Sequence, residues 1–243
     1  MWVLYQKEIN AFFSTLTGYI VVSVFLVINS LLMWVLPGNY NVLGSQYANL
    51  GTLFTLAPWV FLFLVPAVTM RLFAEEKRLG TMETLLTRPM TELELVLAKY
   101  LAGLSLVLIA LLPTLVYFFS VWQLGNPPGN VDSGGVWGSY IGLFLLAAIY
   151  VAVGLFASSL TQNQIIAFII AAGLMLFLLY GFEAIAGLFR SGFWAAQSIQ
   201  LGIAHHYASI SRGVVDSRDL AYFLAVILIF LFATRTVVQS RNW

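Results

Sequence analysis

Apolar residues gather into six long stretches along this chain: Leu16–Leu36, Leu53–Ala74, Leu93–Val121, Tyr140–Leu160, Ile165–Phe182 and Leu220–Val238. Each comes close to the 17–25 or so residues that a helix needs to cross a bilayer. The pattern predicts an all-α membrane protein with six transmembrane helices in a single domain over 1–243. Ahead of the first stretch, Trp2, Leu4, Tyr5, Ile9, Phe12 and Phe13 recur at helical spacing, with Gln6, Lys7, Glu8 and Asn10 between them. That spacing predicts a short interfacial helix over 1–13 in the headgroup plane, or else an extension of the first span.

Polar punctuation places the ends of the spans. Thr91-x-x-Glu94 is a capping box, in which Thr at the N-cap and Glu at N3 satisfy each other's backbone donors, so a helix opens there. Thr161-x-x-Gln164 repeats the pattern at a tight turn, and Asp216-x-x-Asp219 caps the last span. Pro58 and Pro66 interrupt the backbone hydrogen bonding of the second span and predict kinks. Gly134, Gly138 and Gly142, four apart, predict close helix packing within the chain. The segment 183–217 is apolar but too broken to cross and return, which predicts an outer re-entrant pair of half-helices.

Composition sharpens this picture. The chain is 61% hydrophobic and 9% charged, against about 45–50% and about 25% in soluble domains. With no cysteine, disulfides, thiolate catalysis and Cys-based metal sites are excluded. A net charge of +1 without a basic stripe leaves no basis for a nucleic-acid partner. The first residues lack the cationic start and cleavage site of a signal peptide and are expected to stay on the protein. Eight of the eleven Lys and Arg residues (Lys7, Arg71, Lys77, Arg78, Arg88, Lys99, Arg235 and Arg241) fall on one side of the spans, and Arg190, Arg212 and Arg218 on the other. By the positive-inside rule both termini are expected to be cytoplasmic. Trp34, Trp122, Trp137, Trp194, Tyr40 and Tyr140 then form an outer aromatic belt.

Candidate chemistry is sparse. The phosphate-cradling GxxxxGK[ST] motif is missing, so the chain carries no nucleotide site of that kind. His205 and His206 are adjacent, point about 100° apart on a helix and have no acid within a helical turn; they are expected to be an interfacial pair rather than metal ligands. Glu183 is an isolated acid at the outer end of the fifth span, either on a substrate path or paired with Arg190 or Arg212. Asn29 is the main polar group inside a span. Span centres this apolar do not suit an ion-coupled transporter. The densest charge lies in the loop 75–90, where Leu79, Met82, Leu85 and Leu86 form one face of a short helix. Its Glu75, Glu76, Lys77, Arg78, Gly80, Thr81, Glu83 and Arg88 are richer than a surface anchor needs, and they predict a docking site for a partner.

The run Glu75-Glu76-Lys77-Arg78-x-Gly80-Thr81-x-Glu83-x-Leu85-Leu86-Thr87-x-Pro89, followed by Glu94-x-Val96-x-x-Lys99, resembles the inner-loop signature of ABC-2 type permeases. A second family-like run covers Ser211 to Phe223. Lys7-Glu8-Ile9-Asn10, Leu56-Ala57-Pro58-Trp59, Gln123-Leu124-Gly125-Asn126-Pro127 and Tyr180-Gly181-Phe182-Glu183 are similar to one branch, the gliding-motility permeases (GldF) of Bacteroidetes.

The resemblance implies a non-catalytic permease of the ABC-2, or type V exporter, architecture in a bacterial inner membrane, with a cytoplasmic coupling helix at 75–90. ATP and Mg would be bound by a separate pair of ATPase subunits (GldA type). A second permease-like chain with an extracytoplasmic domain (GldG type) is implied, a homodimer being the alternative. Asn29, Trp59, Phe63 and Glu183 are candidates for a substrate path or dimer seam, with Tyr19 and Phe25 beside them. Two other readings stand. One is a mechanical or scaffolding subunit that acts on an extracytoplasmic partner without moving a solute. The other, an intramembrane enzyme, is disfavoured because no paired acids or metal ligands face each other.

Overall fold

The computed structural model describes residues 1–44, 47–82, 90–189, 192–213 and 216–240. Among these, helix α1 (Trp2–Phe13) is followed by α2 (Leu16–Ser30), which ends in a π turn at Leu31–Val35. Then come α3 (Gly51–Arg78), α4 (Glu92–Leu111) and α5 (Leu115–Leu124), the last two joined by a 3-10 turn at Leu112–Thr114. Next are α6 (Ser133–Leu160) and α7 (Gln164–Leu176), which runs through a π turn (Phe177–Gly181) into α8 (Phe182–Ala186). Short helices α9 (Gly192–Gln200) and α10 (Ile203–Ile210) precede α11 (Ser217–Gln239).

Six of these runs are long and apolar enough to cross a membrane: Leu16–Val35, Gly51–Arg78, Glu92–Leu124, Ser133–Leu160, Gln164–Ala186 and Ser217–Gln239. The protein is therefore all-α and polytopic. The spans outrun the apolar stretches because their caps lie in the polar flanks: Asp132 accepts from Gly135 N and Asp216 from Arg218 N. The Asp216 bond holds that carboxyl below its usual range. The box at Thr91 and Glu94 forms in full. At the tight turn the cap is Asn163, whose side chain accepts from Ile165 N, while Thr161 accepts from Asn163 N. The cap therefore sits two residues later than the Thr161-x-x-Gln164 pattern implied, because a shorter Asx turn is available there.

The long helices α3 and α6 form the centre, with α4, α7 and α11 around them. Gly154 of α6 lies against Thr69 of α3 so closely that a Cβ there would overlap the threonine side chain. Gly138 and Gly142 similarly receive Gly213 and Ile210, so this small-residue stripe packs within the chain. Pro58 leaves the carbonyl of Phe54 without its helical donor, and the Tyr207 hydroxyl of α10 donates to that oxygen at 2.6 Å.

Helix α1 is a separate element that breaks from α2 at Ser14 and Thr15. Met1 and Gln239 lie at one end of the bundle: the Met1 amino group is 3.7 Å from Met90 Sδ, and the Gln239 amide lies 3.4 Å from the Glu92 carboxylate. The segments 36–44, 47–50 and 125–132, and helices α9 and α10, occupy the opposite end.

Candidate functional site

At the end that carries the termini, three helices converge on one buried ammonium. The stripe of α1 that faces inward is Leu4, Glu8 and Phe12, so an acid sits midway along an apolar edge. Lys99 lies on the buried side of α4, one turn beyond Leu95, and is fully buried. Glu76 arrives from the last turns of α3 and is 8% exposed, as is Glu8. Lys99 Nζ is 2.8 Å from Glu8 Oε1, 2.7 Å from Glu76 Oε2 and 2.7 Å from the Leu72 carbonyl. The ammonium donates to Glu8 Oε1 and to Leu72 O, while Glu76 Oε2 meets it as a charge pair, so two other helices close around it. Lys7 lies 3.3 Å from the second oxygen of Glu76 and 4.0 Å from Glu8. Two lysines and two glutamates leave the cluster neutral, the condition under which buried charge is tolerated.

Neighbouring contacts stiffen the junction. Arg71 stacks its guanidinium 4.2 Å over the Phe12 ring and donates to Thr17 Oγ1 at 3.2 Å. The Tyr5 and Ser105 hydroxyls are 2.9 Å apart, linking α1 to α4. Ser158 of α6 accepts from the backbone N–H groups of Phe73 and Ala74 and donates to Met70 O. Lys77 donates to the Ser159 carbonyl at the end of α6.

This arrangement divides the expected docking residues. Glu76 and Lys77 point inward, to α1/α4 and to α6, so neither is a surface group as the loop reading supposed; their partners lie far along the chain. Glu75 is half-buried, and Arg78, Leu79, Gly80 and Thr81 are exposed. Gly80 does not sit inside a coupling helix: it adopts φ +67° and its N–H bonds Lys77 O, which ends α3 and turns the chain. Helical conformation resumes at Thr81 and Met82, and Thr81 Oγ1 donates to Glu76 O at 3.3 Å. Glu83 and Arg88, with the rest of 83–89, lie outside the described residues.

The seam candidates also separate. Asn29 and Phe25 are fully buried within the chain; Asn29 Nδ2 donates to Phe25 O at 2.8 Å. Asn29 therefore cannot bond across a seam between chains. Thr55, Trp59 and Phe63 form an exposed stripe of α3, Trp59 stacks on Tyr180 at 5.1 Å, and Tyr19 is exposed on α2. Glu183 is exposed and has no ion pair among the described residues; Arg190 lies outside them. At the opposite end an open cavity of about 870 Å³ lies between the loops, with Asn49, Asn130, Asp132, Ser139 and Arg212 on its wall.

Glu8 and Lys99 carry no role in the sequence reading. One signal for them exists: an acid at i+4 between two apolar residues of one helical stripe, and a lysine inside an otherwise apolar span, each requiring a partner. His206 was missed differently. Its acid is Asp219, 2.7 Å away on α11, beyond the one-turn window in which a partner was sought.

A polytopic helical bundle with its charge drawn together at one end defines a multi-pass membrane protein. More narrowly, the chain belongs to the ABC-2 family: the model for "ABC-2 family transporter protein" matches residues 2–231. No curated protein matches it.

Proposed function

We propose that this chain is the permease subunit of an ATP-driven ABC-2 complex in a bacterial inner membrane, with both termini cytoplasmic. ATP and Mg²⁺ are bound by a separate pair of ATPase subunits, which dock on the exposed edge from Arg78 to Thr81, the half-buried Glu75 beside it and the following residues to 90. The observation that carries this reading is the Lys99 junction. Glu76 lies two residues before that edge and is held to α1 and α4 through one buried ammonium, so a displacement of the edge reaches three helices together. A gliding-motility role and a GldG-type second permease are supported by the sequence resemblance. The exposed stripe of Thr55, Trp59 and Phe63, with Tyr19, supports pairing through the first, second and fifth spans.

The test is a reconstituted complex in proteoliposomes. Charge reversal of Glu75 with Arg78 should abolish ATPase association while the permease still inserts. Retained association and stimulated turnover would remove the edge from the docking surface.

One observation favours the second reading, mechanical work on an extracytoplasmic subunit without solute flux. Helix α9 buries none of its residues and exposes Phe193 and Trp194, a surface suited to a protein partner at the end opposite the ATPase. ATP turnover without movement of any labelled candidate solute, with α9 crosslinking to the second subunit, would support it.

A further inference from the structure

Both ring nitrogens of His206 face oxygen acceptors. Nδ1 is 2.7 Å from Asp219 Oδ1 on α11, and Nε2 is 2.8 Å from the Gln200 carbonyl that closes α9. A neutral imidazole has one N–H and can serve only one of them; the imidazolium serves both. The ring also stacks on Tyr222 of α11 at 3.9 Å between centroids, and the Tyr222 hydroxyl donates to Leu201 O at 2.6 Å. Gln200 and Leu201 are thus tied to α11 through His206 and Tyr222. Helix α9 has no buried residue of its own to hold it.

We propose that His206 is a proton-binding site that latches α9 and α10 onto the last span. This deepens the reading above by giving its distal end a regulator, and it takes that end as the extracytoplasmic one. With the proton bound, the imidazolium bridges the Asp219 carboxylate and the Gln200 carbonyl. When solvent removes the proton, one acceptor faces a nitrogen lone pair, the ion pair is lost and α9 is released. Histidine changes charge between about pH 5 and 8, so acidity at this face favours the closed segment.

The other titratable or charged groups on the elements around His206 are few. Its own helix and the turn after it carry His205, edge-on at 5.5 Å, Tyr207 and Arg212, whose Nε bonds Ala208 O. Helix α11 adds Tyr222, Arg218 and the capping Asp216. Helix α6 brings Tyr140 and Tyr150 with Asp132 at its cap, the π turn brings Tyr180 with Glu183 beyond it, and α9 brings none. Asp219 is the only carboxylate among the described residues that is ion-paired to the ring.

The chain has two histidines and no cysteine, which permits a clean test. Protein labelled with ¹⁵N-histidine is placed in lipid nanodiscs, where both faces meet the buffer and orientation does not enter. In acidic buffer the His206 resonance should be that of a doubly protonated ring; in alkaline buffer one nitrogen should have lost its proton. In parallel, a Ser198→Cys thiol is labelled with maleimide and normalised to Asn130→Cys. Reactivity should rise about tenfold across the range, the effect of losing one charge-assisted hydrogen bond, and should not vary with pH in His206→Gln. A ring whose charge does not change, or one that titrates while Ser198→Cys reactivity stays constant, overturns the latch. Labelling of Asn130→Cys in intact cells reads the orientation separately, so a failure of that reading is distinguishable.

Discussion

Replacing Lys99 with methionine removes the cation while keeping much of its volume. Two opposing terms set the result. At an effective dielectric near 20, unit charges about 4 Å apart attract by about 4 kcal/mol. Withdrawing each ion from water costs several kcal/mol. For the intact junction the terms nearly cancel, so its net contribution to stability is small. Removing Lys99 alone deletes the attraction and keeps the cost, because Glu8 and Glu76 stay 8% exposed. Lys7 does little to compensate, as its side chain is 56% exposed and its pairing is screened by water. The expected loss is about 3–5 kcal/mol, or a melting temperature lower by about 6–20 °C for a chain of this size. Substituting all three groups (Lys99→Met, Glu8→Leu, Glu76→Leu) removes the buried charge altogether and should recover most of the loss. The triple variant should nonetheless fail to stimulate a partner ATPase, because the bonds joining α1, α3 and α4 are gone. Thermal unfolding in nanodiscs, followed by turnover of the assembled complex, measures both. A single variant that melts with the wild type, or a triple variant no more stable than the single, would refute the reasoning.

Further outcomes follow from other parts of the fold. In intact cells, cysteines at Asn130 and Ser198 should react with an impermeant reagent while those at Arg78 and Ser240 do not; Lys77 is a poor reporter because it is buried. Gly154→Ala forces apart α3 and α6 at Thr69 and should cost about 1–3 kcal/mol, whereas Gly173→Ala, with open space around it, should not lower the melting temperature. Asn29→Leu should leave subunit pairing unchanged, since the side chain is enclosed by its own chain, and Trp59→Ala with Phe63→Ala should weaken pairing in native mass spectra of the solubilised complex. Two copies of this chain without another permease would overturn the heterodimer.

The spans were legible because bilayer thickness and backbone satisfaction fix both their length and their composition; Leu16 opens the first and Leu160 closes the fourth in sequence and structure alike. Caps were legible where one short motif decides them, as at Thr91 and Glu94. The site was legible only as a place. Charge density located the end of α3 but could not separate Arg78, which faces out, from Glu76, whose partners lie 69 and 23 residues away at Lys7 and Lys99. Helical periodicity orients a side chain relative to its own helix; which neighbour it meets depends on packing across the chain. For the same reason Asn29 read as a candidate for a substrate path or dimer seam and is enclosed by its own chain, and the acid that serves His206 went unnoticed.

Pro58 has a mechanical consequence. Helix α3 runs unbroken through Pro58 and Pro66, and its two ends are gripped by different parts of the molecule: the Phe54 carbonyl by Tyr207, and the Leu72 carbonyl by Lys99. A swing of about 10° about Pro66 would carry Arg78, twelve residues and about 18 Å further along, sideways by about 3 Å. Because α10 clasps the segment before Pro66, such a swing leaves the Tyr207 bond to Phe54 in place, whereas a rigid tilt of the whole helix would have to carry α10 along or open that bond. Only a tilt of the whole helix, held at both ends, would carry a stroke to α10, and the tyrosine hydroxyl is the contact through which it would pass.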